Sequence, residues 1–408
     1  MSDAAAARTL VTVAGPDRLG ITATLTGVIA AGGATLLDIE QVVVHGQLTL
    51  CLLVELPAGR GDRVLEALRA SARHLDLELS TRDVPLQPVE DPGAVQLAIT
   101  VFGDHLDAEG LHAVARVLSR HGGNIERIHR LSDSELTSLE LIVSMPGAAP
   151  SGPDAAAILE ARARELRHHL LEEAGRLDIA VQRESLSRRA KRLVVMDMDS
   201  TLIQMEVIDE LARRHGVGAE VADLTRRAML GELDFEQSLR ARVALLAGLD
   251  VRQLDEIARS LPLSDGAEAL LRVLRRLGYR TAVLSGGFTF AAQALKERLG
   301  LDYAYANTLE RAGGRLTGRV IEPIVTPQRK ADLLDMIAQG ESIELDQTIA
   351  IGDGANDLPM LERAGLGIAF HAKPKLTAAA DTAVSHGGLD RVLYLLGLRA
   401  RDVAELLR

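Results

Sequence analysis

An apolar segment that ends in two aspartates constrains the fold of this chain more than any other feature. Leu193–Met196 reads as a buried parallel strand, and Asp197 and Asp199 follow directly at its carboxyl end. Open α/β sheets carry their reactive groups at that edge. Two carboxylates on one strand end can divide two tasks, one as nucleophile and metal ligand and the other as general acid and base. Taken alone, such a segment is more often a solvated, aspartate-rich turn.

Three later segments complete a set of four motifs. Residues 283–288 read VLSGGF, a second apolar strand ending in serine and two glycines. Residues 349–357 read IAIGDGAND, a third strand followed by an acidic, glycine-rich loop. Between them, Lys330 lies near the start of a predicted helix; in isolation it would be an ordinary surface lysine. The order Asp, Ser, Lys, Asp within 197–357 resembles the haloacid dehalogenase-like phosphotransferase superfamily.

This resemblance implies a Rossmann-like α/β core with a parallel sheet, and phosphoryl transfer through an aspartyl-phosphate. Asp197 is the implied nucleophile. The side chain of Asp199 is implied to protonate the leaving oxygen and then to activate water. Because a phosphate dianion repels a carboxylate, a cation must lie between them, and Mg²⁺ fits as a hard, oxygen-preferring ion. The implied metal ligands are Asp197, Asp353 and the backbone carbonyl of Asp199.

Five further residues complete the predicted phosphate site. Ser285 and the N–H of Gly286 are implied to hold phosphate oxygens, since glycine lets backbone approach a ligand closely. Lys330 is implied to neutralise the nucleophile and the phosphate as a point charge. Thr201 is expected to cap the helix after the first strand. Asp357 is expected to orient Lys330 or a metal-bound water; a plain helix-start carboxylate is the alternative.

A second group of residues points to the substrate. Glu206 and Arg242 have the spacing from the first motif that phosphoserine phosphatases use to grip an amino group and a carboxylate. Arginine has a bidentate fork suited to a carboxylate. Met229 and Phe235 match apolar lid positions of the same family, and Asn356 matches a further substrate contact. A solvated arginine and a core phenylalanine remain the structural alternatives.

An internal repeat fills the first 185 residues. VTVAG at 11–15 matches ITVFG at 99–103, and a glycine pair recurs after a shift of about ninety residues. Each copy reads strand, helix, strand, strand, helix, strand, which is a ferredoxin-like unit. Three prolines in the segment 84–93 separate the copies.

The first copy resembles an ACT domain, a module that typically binds amino acids and pairs with other copies. Its loop Gly15–Gly20 leads into a helix start, where backbone N–H groups near Asp17 and Gly20 could hold a ligand carboxylate. The second copy reads GDHLDAEG at the matching place and departs from the pattern, which puts ligand binding there in doubt. An amino-acid effector and a homodimer are therefore expected, with a purely structural pairing module as the alternative.

Composition excludes several classes of function. A net charge of −11 leaves no basic excess to neutralise phosphates, which argues against a nucleic-acid partner. The start of the chain lacks a signal-peptide pattern, and no apolar stretch approaches about 18 residues, so no membrane role is expected and the protein is predicted to be cytoplasmic. Cys51, the one cysteine, is expected to be a buried core thiol. The basic stretch Arg188–Arg192 is interpreted as a solvated linker.

The combined prediction is an enzyme that hydrolyses O-phospho-L-serine, the last step of serine biosynthesis, regulated by amino acids at its ACT domains. Another phosphomonoesterase or phosphotransferase of the superfamily is the near alternative, and an amino-acid sensor with a vestigial core is the distant one. A nucleotide-using kinase is disfavoured because GxxxxGK[ST] is absent. The predicted domains are ACT-like at 1–87 and 93–185, and phosphatase at 190–408 with a helical cap at about 206–262.

Overall fold

The computed structural model describes residues 8–84, 95–133, 137–145, 155–184, 188 and 190–408, except for the side chains at 155–157, 159, 160, 229 and 375. The predicted proline-rich link lies almost entirely outside the described residues. The chain divides into two compact units, Met1–Asp91 and Pro92–Arg408.

The first unit is one βαββαβ fold with an antiparallel sheet in the order β2-β3-β1-β4. The helices cover one face of the sheet, because their apolar residues recur one turn apart: Ile21, Leu25 and Ile29 are buried on α1. Cys51, predicted to be buried, is only half-buried opposite Thr12. The elements are β1 Arg8–Pro16, α1 Ile21–Ala31, β2 Thr35–Val44, β3 Gln47–Glu55, α2 Gly61–His74 and β4 Glu78–Asp83.

The second unit begins with the second copy, whose sheet has the order β6-β7-β5-β8. The two copies differ in burial. β1 alternates between buried and partly exposed residues, whereas six consecutive residues of β5 are buried. The elements are β5 Val95–Phe102, α3 Ala108–Arg120, β6 Asn124–Arg130, β7 Ser138–Met145, α4 Ala155–Glu173 and β8 Asp178–Arg183.

Both faces of β5 are buried because the second copy contacts the rest of the unit. Phe102 and Ala180 belong to the same apolar cluster as the core of the following domain. The carboxylate of Asp178 accepts the N–H groups of Ser385 at 2.7 Å and His386 at 3.3 Å. The second copy is thus built onto the domain that follows it.

The last part of the chain is a seven-stranded sheet in the order β12-β11-β10-β9-β13-β14-β15, confirming the predicted α/β core. All neighbouring pairs are parallel except β11 and β12, which form an antiparallel pair that the sequence did not predict. The strands are β9 Leu193–Met196, β10 Arg280–Phe288, β11 Tyr303–Ala312, β12 Arg315–Ile321, β13 Thr348–Gly352, β14 Gly367–Phe370 and β15 Thr382–Val384.

Five helices follow β9 before the chain returns to the sheet at β10, and the first four lie in the range predicted as a cap. These four are α5 Val207–His215, α6 Gly218–Met229, α7 Phe235–Ala244 and α8 Arg252–Arg259. The remaining helices lie between or after the strands: α9 Ala267–Arg276, α10 Thr289–Leu299, α11 Pro327–Gly340, α12 Leu358–Arg363, α13 Pro374–Ala379, α14 Val392–Leu395 and α15 Ala400–Leu407.

The interpretation of the basic stretch before β9 as a solvated linker is wrong. Arg188 is 8% exposed and forms ion pairs with Glu140 and Glu184 of the second copy. Lys191 is 6% exposed and donates to the backbone carbonyls of Asp346 and Thr348. Buried cations need such partners, and here the partners come from segments distant in sequence.

Within the described part of the chain, no helix combines the length and apolarity needed to cross a membrane.

Candidate active site

Three neighbouring strands deliver the predicted motifs to one place. In the sheet, β9 lies between β10 and β13 and is parallel to both. The carboxyl ends of the three strands therefore meet at the same edge. Asp197 follows β9, Ser285 lies near the end of β10, and Asp353 follows β13.

Beneath this edge, one ammonium group is shared by two carboxylates. Lys330 Nζ lies 2.8 Å from Asp197 Oδ1 and 2.7 Å from Asp357 Oδ1. The three residues are 1%, 4% and 0% exposed, respectively. Burial opposes the charge on Lys330, but the two carboxylates outweigh it and raise the pKa of the ammonium. The lysine that in isolation would be a surface residue is therefore fully buried and charged.

Lys330 reaches this position because α11 begins at the sheet edge. Thr326 caps that helix by accepting the N–H of Arg329, and Pro327 occupies its first turn. Asp357 is fixed as well, since its second oxygen accepts the N–H of Gly354 at 3.1 Å. The structure thus places Asp357 against Lys330, as one of the two predicted arrangements requires.

Among the described residues, this edge carries more carboxylates than cationic side chains. Oxygens of Asp197, Asp353 and Asp357 lie within 4.8 Å of one another. Burial, and next the charge of Asp197, raise the pKa of Asp353 to about 6. A cluster of oxygen ligands with unbalanced negative charge suits a hard divalent cation such as Mg²⁺.

Thr201 does not cap a helix, contrary to the prediction. Its hydroxyl donates to Asp353 Oδ1 at 3.1 Å, and the first helix after β9 begins only at Val207. The residue instead connects the segment after β9 to the loop after β13.

Asp199, the second aspartate after β9, is bonded to the start of the cap. Its Oδ1 accepts the N–H of Val207 at 3.2 Å, at the start of α5. Burial, then the charges of Glu206 and Asp197, raise the pKa of Asp199 well above its ordinary value. A raised pKa favours the protonated form of the carboxyl group, which is the form that a general acid needs.

The cap contributes the other half of a cavity of about 290 Å³ above these residues. Glu206, Phe235 and Arg242 line it, so the structure brings the predicted substrate residues to the predicted catalytic edge. Arg242 donates from Nε to the carbonyl of Ser238 at 3.4 Å, its one hydrogen bond among the described residues. The cavity lining comprises Asp197, Asp199, Glu206, Ile208, Asp209, Thr225, Phe235, Leu239, Arg242, Ser285, Gly286, Gly287, Phe288, Asp353 and Asn356.

The serine and glycine loop at the end of β10 leaves room for a ligand only because its two glycines lack side chains. A Cβ added to Gly287 would lie 2.5 Å from Asp199 Oδ2, and one added to Gly286 would lie 2.8 Å from the Phe235 ring. Ser285 Oγ accepts the N–H of Gly287 at 2.8 Å, which fixes the loop.

Asn307 holds this loop from below and was missed in the sequence. Its amide nitrogen donates to the carbonyl of Gly286 at 2.7 Å, and its amide oxygen accepts the N–H of Val325 at 2.7 Å. It thereby joins the loop at the end of β10 to the segment that leads into the Lys330 helix. A lone asparagine in the strand YAYANTL carries no local signal of this role.

The remaining predicted residues have mixed outcomes. Asn356 Nδ2 lies 3.4 Å from both Asp197 Oδ2 and Asp357 Oδ1. The side chain of Met229 lies outside the described residues. Asp209 and Thr225 line the cavity and were not predicted. Asp17 and Gly20 lie in an exposed loop of the first unit.

The motif geometry and the sheet define a haloacid dehalogenase-like hydrolase, and comparison with family models agrees. The haloacid dehalogenase-like hydrolase model matches residues 194–362, and two ACT domain models match residues 8–82 and 97–182.

Whole-chain relatives narrow this class. A phosphoserine phosphatase of Streptomyces coelicolor is 48% identical over 401 residues, which cover 97% of this chain and 93% of the relative. One of Mycobacterium tuberculosis is 44% identical, covering 97% and 94%. The crystal structure of a probable phosphoserine phosphatase from Vibrio cholerae, 37% identical, covers 76% of this chain and 88% of its own with a TM-score of 0.55. The chain therefore belongs to the phosphoserine phosphatase family.

Proposed function

We propose that this protein hydrolyses O-phospho-L-serine to L-serine and phosphate through an aspartyl-phosphate on Asp197. The observation that carries the proposal is one cavity in which a catalytic edge of Asp197, Asp199 and Lys330 faces a carboxylate and a guanidinium, Glu206 and Arg242. The substrate carries complementary groups, an ammonium and a carboxylate beside its phosphate.

In the first step, a carboxylate oxygen of Asp197 attacks phosphorus and the bond from phosphorus to the serine oxygen breaks. The leaving oxygen takes the proton of Asp199, whose raised pKa supports its role as the acid. The loop of Ser285 and Gly286 would hold equatorial phosphate oxygens, with the Lys330 ammonium beneath the nucleophile. Positioning and charge stabilisation of this kind supply most of the catalysis in phosphoryl transfer.

In the second step, Asp199, now ionised, takes a proton from water. The resulting hydroxide attacks phosphorus, phosphate leaves, and the carboxylate of Asp197 is restored. The proton on Asp199 is thereby regained for the next turnover, so the two steps balance without any external acid.

The residues also fit a Mg²⁺ ion. Asp197 and Asp353 would hold it, together with the backbone carbonyl of Asp199. Bound there, the ion would offset the repulsion between the carboxylates and the phosphate dianion. Asp357 lies in the same cluster, but both of its oxygens already accept hydrogen bonds from Lys330 and Gly354, which favours a role in orienting Lys330.

Regulation by an amino acid is proposed for the first ACT domain. Its residues Asp17–Gly20 are exposed, and Gly20 at the N-cap of α1 provides no side-chain cap, which leaves backbone N–H groups for a carboxylate. In the second copy the matching loop is used differently, since Asp104 lies 3.3 Å from His386 of the phosphatase domain.

A homodimer formed through the first ACT domain is proposed as well. β2 is an edge strand in which all ten residues are exposed, and it presents six large apolar side chains: Leu36, Leu37, Ile39, Val42, Val43 and Val44. An exposed apolar edge strand is a template for pairing with another chain. Sedimentation of the wild type and of Val42→Lys would test it, with a monomeric wild type contradicting the proposal.

The test of the activity is turnover with Mg²⁺ of O-phospho-L-serine, O-phospho-L-threonine and p-nitrophenyl phosphate. A kcat/KM clearly highest for phosphoserine is expected. Equal values would favour a general phosphomonoesterase, and no turnover of any of them would favour a sensor with a vestigial core.

A further inference from the structure

Residues 199–207, which connect the catalytic edge to the first helix of the cap, are joined to one another by hydrogen bonds. Ser200 has a left-handed backbone with φ of 56°, and its N–H donates to the carbonyl of Met205 at 3.3 Å. Val207 donates its N–H to Asp199, and the hydroxyl of Ser200 donates to Glu206 Oε1 at 2.9 Å. Residues 199–207 thus form a closed loop with the leaving-group acid at one end and the proposed ammonium ligand at the other.

In this loop, Asp199 and not Glu206 accepts a backbone N–H at the start of α5. Glu206 occupies the N-cap position of α5 but makes no capping hydrogen bond with its side chain. Asp199 instead accepts the N–H of Val207, the first residue of the helix. The carboxylate of Glu206 is therefore free to line the cavity, and the hydroxyl of Ser200 is the one side-chain group among the described residues that holds it there.

We propose that Ser200 is a positioning residue for substrate selectivity: its hydroxyl holds the carboxylate of Glu206 in the cavity, so that the other carboxylate oxygen meets the substrate ammonium. This inference rests on the proposed function and deepens it. A glutamate has three side-chain torsions, and fixing one oxygen removes most of that freedom before the substrate arrives. Preorganisation of this kind improves binding by reducing the ordering required on association.

The left-handed backbone explains why the hydroxyl reaches Glu206. The positive φ of Ser200 turns the chain back towards Met205, which brings residues 200 and 206 together. Because a left-handed backbone suits glycine better than alanine, two substitutions separate the hydroxyl from the backbone. Ser200→Ala removes the hydroxyl and keeps the strain, whereas Ser200→Gly removes the hydroxyl and relieves the strain.

The experiment compares two substrates that differ only in the ammonium. O-phospho-L-serine carries it, and its deaminated analogue 3-phosphooxypropanoate does not; the ratio of their kcat/KM values is the ammonium selectivity. In both Ser200→Ala and Ser200→Gly we expect this ratio to fall by about two- to tenfold, mainly through KM for phosphoserine, as for the ordering of one rotamer-rich side chain on binding. Ser260→Ala, which removes an exposed hydroxyl bonded to the carbonyl of Glu256, is the matched control and should keep the ratio.

A double-mutant cycle tests whether Ser200 acts through Glu206. Glu206→Ala should lower the ratio by itself, and Ser200→Ala added to Glu206→Ala should lower it no further. The inference is overturned if both Ser200 variants keep the wild-type ratio, if the glycine and alanine variants move it in opposite directions, or if the two substitutions act independently. A wild type without ammonium selectivity would instead overturn the proposed function, and this inference with it.

Discussion

Replacing Arg242 with alanine removes the group proposed to bind the substrate carboxylate, and the expected loss follows from its surroundings. The guanidinium is half-buried on α7 and lines the cavity, and its one hydrogen bond within the described residues uses Nε. Both terminal nitrogens therefore remain for a bidentate contact. Burial lowers the pKa of the guanidinium, and the charges of Glu206 and then Asp209 oppose this shift.

Truncating one partner of a buried, hydrogen-bonded charge pair costs about 2–5 kcal/mol. Because the cavity is partly open to solvent, the lower part of that range applies, about 2–4 kcal/mol. At 1.36 kcal/mol for each tenfold change, kcat/KM for phosphoserine should fall about 30- to 1000-fold. Arg242→Lys keeps the charge but loses the planar fork, so its loss should be smaller.

The assay needs a substrate that lacks only the carboxylate. O-phosphoethanolamine keeps the phosphate and the ammonium, so Arg242→Ala should change its kcat/KM by less than about threefold. Arg240→Ala is the matched control, because Arg240 lies two residues away on the same helix and pairs with Glu236 and Glu322 at the surface. Equal losses on both substrates, or a similar loss in Arg240→Ala, would refute the assignment of Arg242 to the carboxylate.

Four other expectations can be checked separately. Asp197→Asn should lower kcat by roughly 10⁴-fold or more while circular dichroism stays unchanged, since an amide cannot accept the phosphoryl group. EDTA should abolish turnover and added Mg²⁺ should restore it in a titration. Gly287→Ala should lower kcat by displacing Asp199, whereas Gly340→Ala, with open space at its Cβ, should not. Burial lowers the pKa of Lys191 to about 8 against 10.5 when unfolded, so the unfolded state binds more protons between these values. The free energy of unfolding should therefore rise by about 2 kcal/mol from pH 7.5 to 9.5 in urea titrations, and Lys191→Met should lack this rise.

The strands that carry the site were predictable because their signals are local. Apolar runs that end in Asp, Ser-Gly-Gly or Asp-Gly mark strand ends, and parallel strands bring such ends to one edge. The antiparallel pair of β11 and β12 was not predicted. Asn307, which lies on β11, was not predicted either, because its two hydrogen bonds are to Gly286 and Val325, which are 21 and 18 residues away.

The predicted roles of two polar side chains were wrong because each bonds to a residue distant in sequence. Thr201 was assigned to a nearby helix, but its hydroxyl bonds Asp353, 152 residues away. Arg188 was assigned to solvent, but it pairs with Glu140 of the second ACT copy. Polar side chains are satisfied by whichever partner the tertiary fold supplies, and a single sequence does not display that choice.

The charge balance of the cavity explains why selectivity for an amino acid phosphate would arise at all. The lining carries five carboxyl side chains, Asp197, Asp199, Glu206, Asp209 and Asp353, against one guanidinium. Such a cavity repels phosphate dianions, so its affinity must come from a metal cation, the Lys330 ammonium, the backbone N–H groups of the loop at the end of β10, and cationic groups of the ligand itself. A phosphate ester without an ammonium would leave Glu206 and Asp209 unpaired while adding further negative charge. We therefore expect the acids above the catalytic edge to disfavour phosphate esters without an ammonium, such as sugar phosphates, in addition to attracting the ammonium of phosphoserine.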